Sequence, residues 1–580
     1  MTVPENPFIF NSRRPTVYGT KGMVASSQPF ATQVGIEILK KGGNAADAAV
    51  AVAAVLSVNE LPCTGVGGDG CCLFYDAKKR KVIGLNGSGR TPAALTVDLL
   101  RQQGEFDGHA CVSPYSAHSI TVPGAVATWT DTIEHFGSGN LDMATILQPA
   151  IELAENGFPL SYVPEQGWKR AEKMLKENNS AENNLLIDGI RAPVEGEIVH
   201  LPDLAETLRA IADKGKDGFY KGRVADAIIE AVKSRGGVLT HEDLASHTSE
   251  IIEPISLDYH DWTIWELPPS SQGITALIAL GIIRALEEEH GLDLSKLEHN
   301  SAEYLHIIIE VLRLAFADTR YYVADPQVFP VPTDKLLSKA YLSERAKLVN
   351  LEKRNGEIVK GYPDKTCDTV YLSVVDEEGN ACSFINSNFG YFGSCIVPDK
   401  CGFPLHNRGY SFTLIEDHPN CIGPRKRPYL TLIPAIITRK SSSGDHEFEA
   451  SLGVVGAFMQ PQGHVQVIMN LMRYLASPQH AIDLPRICVA PAKSDGYVMP
   501  SLRRFTDVID SVVYVEDGIA PEVVKKLEAM GHTCYPSKGT ARLTFGRGQI
   551  VVAKTDARTG KRVLAAGSDP RADGQATGWL

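Results

Sequence analysis

Runs of basic residues are scarce in this 580-residue sequence. Only "KKRK" (78–81) and "RKR" (425–427) bring three or more lysines and arginines together, and the formal net charge is −12. A nucleic-acid partner requires a positive surface that attracts phosphate. The sequence therefore argues against nucleic-acid binding.

Long apolar runs are also missing. The most apolar stretch, 45–58, contains Asp47 and is shorter than the roughly 20 residues of a membrane-spanning helix. The opening residues, "MTVPENPFIFNSRRPTVYGTKG", carry an acid and prolines where a signal peptide needs a basic segment and an uninterrupted apolar core. We expect a cytoplasmic protein without a membrane partner, in which 45–58 forms a buried helix.

Metal-binding and nucleotide-binding patterns are missing as well. The 11 cysteines include no CxxC pair, and there is no HExxH, so the sequence predicts reduced thiols, no metal and no other cofactor. The glycines of "GVGGDG" (65–70) precede a predicted strand, whereas a phosphate-binding loop places them between a strand and a helix. We therefore expect no nucleotide site there.

What is present is the composition of a globular protein, with 43% hydrophobic and 22% charged residues. Apolar spacing predicts helices from Pro29 to the glycines at 42–43, and at 45–58, 274–286 and 305–316. Strands are predicted at 370–375, 432–440, 446–455, 549–556 and 562–570. A polar segment, 350–367, is predicted to link the helix-rich first part to the strand-rich second part.

The segment "CDTVYLSVVDEEGNACSF" (367–384) predicts a hairpin with a Glu-Glu-Gly-Asn turn. By pattern alone, Thr369 at its mouth is an ordinary β-branched residue that opens a strand. A second interpretation gives this residue chemistry. If the peptide bond before Thr369 were cut, an α-amine with a pKa of about 7.7 to 8 would lie beside the hydroxyl, so one residue would hold base and nucleophile.

Eight segments together resemble the γ-glutamyltranspeptidase (glutathione hydrolase) family, in family order over almost the whole chain. They are "GGNAADAAVA" (42–51), "GVGGDG" (65–70), "TVPGAV" (121–126), "LTHEDLASH" (239–247), "PPSSQG" (268–273), "LAFADTRYYVADP" (314–326), "DTVYLSVVDEEGNA" (368–381) and "GSDPRADGQA" (567–576).

The resemblance implies an α/β fold of the N-terminal-nucleophile hydrolase class, a four-layer αββα sandwich. It also implies a self-processing precursor that is cut between Asp368 and Thr369. The helix-rich chain 1–368 and the strand-rich chain 369–580 would stay together as one structural unit. Thr369 would then be the nucleophile of an amidohydrolase or acyltransferase that acts on a small-molecule amide or peptide through an acyl-enzyme.

Further catalytic positions follow from the same resemblance. Counting on from Thr369, Ser387 falls where the family has a hydroxyl residue hydrogen-bonded to the nucleophile. In "LGVVGAFMQPQGH", Gly456 and Ala457 take the places of two glycines whose backbone N–H groups stabilise the oxyanion. The alternative for this pair is an ordinary strand-to-helix turn.

The donor pocket departs from the family pattern. Ser411 stands where the family has an acid that pairs with the α-ammonium of the γ-glutamyl group, and Arg408 stands for a glutamine. Because a charge-assisted pair of this kind decides substrate choice, glutathione would lack its ammonium partner. Arg408 could meet a substrate carboxylate. The alternative is a solvated surface arginine or a structural ion pair.

Other pocket positions differ too. Leu430 and Thr431 replace a serine pair that binds the α-carboxylate, Phe389 replaces an asparagine, and Arg90 is the arginine nearest to a missing family arginine. "NRGYSF" and "FMQPQGHVQV" resemble the YwrD-type and cephalosporin-acylase-like branch, where γ-glutamyl specificity is poorly established or absent. We expect a γ-glutamyl-like or other N-acyl donor.

Two alternatives stay open at this point. One is a genuine glutathione hydrolase or γ-glutamyltransferase that holds the amino acid through other groups. The other is a non-catalytic family relative that acts as a binding protein. A gel separates the second from the rest, because only a working Thr369 would split the chain.

Overall fold

A computed structural model of the chain describes residues 14–105, 111–358, 368–441, 443–491 and 511–580. Part of the predicted linker, 359–367, and the side chain of Asp368 lie outside these residues. Within the described ranges, every helix is too short or too polar to cross a lipid bilayer.

The described helices fall mainly in the first part of the chain. They are α1 (Pro29–Lys40), α2 (Ala45–Asn59), α3 (Val97–Gln102), α4 (Ala125–Phe136), α5 (Met143–Asn156), α6 (Tyr162–Asn178), α7 (Pro202–Lys214), α8 (Asp217–Tyr220), α9 (Arg223–Lys233), α10 (His241–Ala245), α11 (Gly273–Glu289), α12 (Ala302–Tyr322), α13 (Thr333–Leu336), α14 (Lys339–Ala346), α15 (Met459–Met472), α16 (Pro478–Asp483) and α17 (Pro521–Ala529). The four predicted helices are confirmed.

The strands come from both parts. They are β1 (Val17–Gly19), β2 (Gly22–Ser26), β3 (Asp69–Asp76), β4 (Lys81–Asn86), β5 (Phe158–Pro159), β6 (Ile198–Val199), β7 (Glu250–Ile252), β8 (Ile255–Tyr259), β9 (Trp262–Glu266), β10 (Asp368–Val375), β11 (Ala381–Phe389), β12 (Ala435–Lys440), β13 (His446–Val454), β14 (Ile487–Ala490), β15 (Val512–Glu516), β16 (Thr533–Ser537), β17 (Gly548–Thr555), β18 (Arg562–Ser568) and β19 (Gln575–Trp579). The predicted strands are confirmed.

Two seven-stranded sheets form the centre of the fold. The strand order is β19-β2-β10-β11-β3-β4-β7 in the first sheet and β1-β18-β17-β13-β12-β9-β8 in the second. The two sheets pack face to face, with β10 against β13 and β17. Helices α1, α2 and α4 cover the first sheet, and α11, α15 and α16 cover the second. The predicted four-layer αββα sandwich is confirmed.

The alternation of side chains along β10 explains the layers. Val370, Leu372 and Val374 belong to the core between the first sheet and its helices. Tyr371 and Val375 belong to the core between the two sheets. Because successive side chains of a strand point to opposite faces, a strand that is apolar at both kinds of position is buried on both sides.

Helix α2 shows how local sequence sets an element. The Asn44 side chain accepts hydrogen bonds from the backbone N–H groups of Ala46 and Asp47, and the Asp47 carboxylate accepts the N–H of Asn44, which is a capping box. All of its residues are buried, and most are alanine or valine. Small side chains let this helix pack closely on β10 and β11.

The hairpin at the predicted chain junction is confirmed. Strands β10 and β11 pair in antiparallel fashion, from Val370 opposite Asn386 to Val375 opposite Ala381. Strand β10 also pairs with β2 on its other edge, so it is an interior strand of the first sheet. The division into a helix-rich and a strand-rich part is incomplete, because β2, β3, β4 and β7 of the first part complete the sheet that contains β10.

Candidate active site

Thr369 is the second residue of β10 and is 1% exposed. The pairing with β11 shifts register between Asp368 and Val370, so Thr369 lies at a β-bulge. Bulges redirect a side chain and are frequent beside active sites. The Thr369 Oγ1 lies 3.0 Å from the Oγ of buried Ser387 on β11, and that Oγ also accepts the N–H of Phe389 at 2.8 Å.

Arg547, directly before β17, connects Thr369 with the predicted oxyanion turn. Its Nη2 donates to the carbonyl oxygen of Thr369 at 3.2 Å, and its own carbonyl accepts the N–H of Val455 at 2.9 Å. Its Nη1 lies 3.4 Å from the Oε2 of Glu60. Because Val455 directly precedes Gly456, Arg547 contacts both Thr369 and the residue before the turn, and it therefore holds the two segments next to each other.

Gly456 and Ala457 form the turn between β13 and α15. Their φ angles are +116° and +49°, so the alanine occupies the left-handed region that L-residues rarely adopt. Their carbonyls accept the N–H groups of Met459 at 2.8 Å and Gln460 at 3.1 Å. Within the described part of the chain, no acceptor binds the N–H groups of Gly456 and Ala457 themselves. Two adjacent free donors are what an oxyanion requires.

Arg408 is fully buried, and its guanidinium pairs with the buried carboxylate of Asp69. Its Nε donates to the Asp69 Oδ2 at 2.6 Å, while the Asp69 Oδ1 accepts the N–H of Gly89 at 3.0 Å. Burial raises the pKa of the Asp69 carboxyl, but the charges of His406 and Arg408 and the hydrogen bonds from Gly89 and Arg408 together outweigh burial, so this pKa lies below its usual range. The contacts of Arg408 are those of a structural ion pair, and a role in substrate binding stays a prediction.

The rest of the Arg408 guanidinium contacts other predicted site residues. Its Nη1 donates to the Thr431 Oγ1 at 3.3 Å, and its Nη2 to the Ser387 carbonyl at 3.4 Å. Its central carbon lies 5.2 Å from the ring centre of Phe389, a cation–π contact. Phe389 itself has a φ of +72° where β11 ends. Arg408 thus contacts three other predicted site residues, Thr431, Ser387 and Phe389.

Leu430 and Ser411 both lie next to Tyr429, Leu430 as the following residue and Ser411 through a hydrogen bond. The Ser411 Oγ donates to the Tyr429 carbonyl at 2.8 Å. The N–H of Leu430 bonds to the Ser270 carbonyl, and the Leu430 carbonyl accepts the N–H of Gln272, both at 2.9 Å. The Gln272 side chain donates to the Ala457 carbonyl in the predicted oxyanion turn, so the structure also connects this part of the predicted pocket to that turn.

Arg90 is placed differently. Its Nη2 bonds to the Glu250 Oε1 at 2.6 Å and to the Gln327 Oε1 at 3.1 Å. Glu250 is shared with Arg427, whose Nη1 lies 2.7 Å from its Oε2. The described side-chain contacts of Arg90 do not include the other predicted site residues.

A separate buried group could offer ligand atoms to a metal ion. The ligand atoms of His306, Glu310 and His532 lie within 4.8 Å of one another. The His306 Nδ1 is 2.8 Å from the His532 Nε2, and Glu310 forms an ion pair of 2.5 Å with Arg313. These side chains are thus already engaged with protein partners.

Sequence reasoning did not single out three residues of the site. Asp69 and Gln272 stand inside quoted family segments, "GVGGDG" and "PPSSQG". The signal for Asp69 is an acid at the start of a buried strand, where an unpaired charge would be costly. Arg547 in "GRGQ" follows no pattern, because its role depends on contacts between distant segments.

The sequence model of the family described as Gamma-glutamyltranspeptidase matches residues 31–579. The chain belongs to the γ-glutamyltranspeptidase family. The chain is similar to the Glutathione hydrolase-like YwrD proenzyme of Bacillus subtilis (strain 168), with 34% identity over 567 residues, 97% of this chain and 99% of the relative. It is also similar to the Acylase ACY 1 proenzyme of Pseudomonas sp. (strain SE83), with 29% identity over 92% of this chain and 90% of the relative.

A solved structure shows the same architecture. The cephalosporin acylase from Bacillus halodurans superposes with a TM-score of 0.85 at 36% identity, covering 100% of this chain and 99% of that chain. This member of the γ-glutamyltranspeptidase family is therefore an N-terminal-nucleophile hydrolase or acyltransferase that is made as a self-processing proenzyme.

Proposed function

We propose that Thr369 is the nucleophile for both maturation and turnover, and that the chain is cut between Asp368 and Thr369 into 1–368 and 369–580. The observation that carries the proposal is the buried Thr369 Oγ1, 3.0 Å from the Ser387 Oγ at a β-bulge. Arg547 supports it by linking Thr369 to a turn with two free N–H donors.

The proposed maturation is an N-to-O acyl shift. The Thr369 hydroxyl adds to the carbonyl carbon of Asp368, the C–N bond breaks, and the proton of the hydroxyl ends on the freed amine. Water then hydrolyses the ester, which leaves a carboxyl group on Asp368 and the hydroxyl and α-amine on Thr369. Before this step the nitrogen of Thr369 is an amide and cannot accept a proton, so the uncut chain is inactive.

Turnover uses the same groups. The free α-amine, a group whose unperturbed pKa is about 7.7 to 8, takes the hydroxyl proton while the Thr369 oxygen attacks the amide carbonyl of the substrate. The negative charge that develops on the carbonyl oxygen is stabilised by the N–H groups of Gly456 and Ala457. The amine product leaves with the proton. Water or an acceptor amine then removes the acyl group.

The acyl donor is proposed to be an N-acyl or γ-glutamyl-like group rather than plain γ-glutamyl. The six proposed pocket residues are Arg90, Phe389, Arg408, Ser411, Leu430 and Thr431, and none is an acid. Ser411 donates its hydroxyl to a backbone carbonyl, and Arg408 is held by Asp69. A substrate ammonium would thus lack the carboxylate that the family uses, and the acylase relatives support this choice.

The first experiment is a gel of the purified chain with N-terminal sequencing. We expect pieces of 368 and 212 residues (1–368 and 369–580), the smaller beginning Thr-Val-Tyr-Leu-Ser. Thr369→Ala should fold and stay uncut, and Thr369→Ser should be cut slowly. Normal cutting of the alanine variant would move the nucleophile elsewhere. A panel of N-acyl amides and γ-glutamyl anilide then tests the donor, and equal turnover of both would favour a plain glutathione hydrolase.

A further inference from the structure

Gln272 lies directly before α11 and is fully buried. Its Nε2 donates to the Ala457 carbonyl at 2.7 Å, and its Oε1 accepts the Tyr429 hydroxyl at 3.3 Å. Its backbone N–H bonds to the Leu430 carbonyl at 2.9 Å. Both ends of the Gln272 side-chain amide are therefore used, one on the turn and one on Tyr429, which directly precedes the proposed pocket residue Leu430.

Ala457 needs support for its conformation. A non-glycine residue with φ of +49° costs of order 1 kcal/mol relative to the right-handed region. Peptide planarity makes the N–H of Ala457 point opposite to the Gly456 carbonyl, which Met459 holds at 2.8 Å. The bond from the Gln272 side chain, at 2.7 Å, and the longer bond from the Gln460 N–H, at 3.1 Å, hold the next peptide plane, so both peptides that flank Ala457 are fixed.

We infer that Gln272 is a positioning residue for the oxyanion turn, and this inference rests on the proposed function. It does not touch the reacting atoms. By holding the Ala457 carbonyl, it keeps the alanine in the left-handed conformation, which keeps the free N–H of Ala457 directed at the substrate carbonyl oxygen. Electrostatic stabilisation depends on donors that are oriented before the reaction, so loss of Gln272 should lower kcat and leave KM nearly unchanged.

The test compares Gln272→Met with the wild type after self-cutting. Methionine has a similar length and no amide. Removal of one oxyanion donor lowers kcat by about 100- to 1,000-fold, and a residue that acts through the turn should have a smaller effect, about 10-fold. We expect KM for the best amide of the panel to stay within about twofold. Unchanged kcat in a fully cut Gln272→Met variant would overturn the inference and leave the proposed function intact.

Gln479→Met is the matched control. Gln479 is also buried and bonded to backbone, with its Nε2 2.8 Å from the Ser568 carbonyl and its Oε1 3.0 Å from the Ser568 N–H. The same substitution there should cost comparable stability but leave kcat unchanged. An equal fall of kcat in both variants would show a general loss of packing and overturn the positioning role.

A second arm uses Ala457→Gly, because glycine adopts a positive φ without the penalty of a Cβ atom. In that background the effect of Gln272→Met on kcat should shrink to about threefold or less. If Gln272→Met alone stays uncut, restored cutting in the Ala457→Gly background supports the inference, and failure to restore it overturns the inference. A wild type that stays uncut overturns the proposed function and this inference together.

Discussion

The Asp69–Arg408 pair gives a quantitative prediction about what holds the site together. Both side chains are fully buried, and the Arg408 Nε lies 2.6 Å from the Asp69 Oδ2. Arg408→Met would leave a buried carboxylate with the Gly89 N–H at 3.0 Å and His406 at 3.6 Å as partners. Breaking a buried pair by removing one partner costs about 3 to 5 kcal/mol, whereas replacing both members is often nearly neutral.

The assay is urea unfolding of uncut chains in the Thr369→Ala background, so that every variant is one polypeptide. Arg408→Met should lower the free energy of unfolding by about 3 to 5 kcal/mol, and Asp69→Asn with Arg408→Met should lower it by less than about 2 kcal/mol. The difference between these values measures the coupling. If the free energy of unfolding of the Arg408→Met variant is within about 1 kcal/mol of that of the Thr369→Ala background, the reasoning is refuted.

The pH dependence gives a second check with a definite sign. In the wild type the pKa of Asp69 lies below its usual range, so its contribution to stability is present above about pH 3.9 and is lost as pH falls through the lower folded-state value. Without Arg408, burial is less opposed and the folded-state pKa should rise above 3.9. The folded variant then binds more protons than the unfolded chain. The loss of unfolding free energy caused by Arg408→Met should therefore become smaller as the pH falls from 7.5 to 5. If this loss of unfolding free energy grows as the pH falls from 7.5 to 5, the assignment of Asp69 as the charged partner of Arg408 is contradicted.

Two further predictions concern the reaction. Ser387→Ala should slow self-cutting and turnover by about 10-fold, because it removes the partner of the Thr369 hydroxyl and the acceptor of the Phe389 N–H. Gel densitometry measures self-cutting and amide hydrolysis measures turnover, with Ser387→Thr as the control. Unchanged rates in Ser387→Ala would count against this role of Ser387. Ser411→Asp should raise kcat/KM for γ-glutamyl anilide by about 10-fold, because the carboxylate supplies a partner for the substrate ammonium. This value is the low end for a charge-assisted bond, because a carboxylate cannot donate to the Tyr429 carbonyl as the serine does. A similar rise with the uncharged Ser411→Asn would contradict the role of an ammonium partner.

Local elements could be predicted because their causes are local. Asn44 and Asp47 cap α2 within one turn, and the alternation from Val370 to Val375 sets the faces of β10. The proposal that Thr369 is the nucleophile depends on the family pattern, which assigns chemistry to this residue. The residues next to Thr369 in sequence are equally compatible with an ordinary β-branched residue that begins a strand.

The partners of the site residues could not be predicted, because they are far apart in sequence. Asp69 and Arg408 are separated by 339 positions, and Thr369 and Arg547 by 178. Which distant charges meet depends on the register of the sheets and on the packing of one sheet on the other. For this reason the two interpretations of Arg408, substrate ligand and structural ion pair, were equally open from the sequence.

The arrangement of strands shows why the proposed cut would not separate the two parts of the chain. In the first sheet β10 pairs with β2 on one edge and β11 on the other, and β11 pairs with β3. Strands β2 and β3 precede the proposed cut, whereas β11 and all of β10 except its first residue, Asp368, follow it. The Asp69–Arg408 and Glu60–Arg547 pairs also join the two sides. Hydrolysis of the peptide bond before Thr369 removes one covalent link at the edge of a bulge, and the ladders and buried ion pairs that position Thr369 remain.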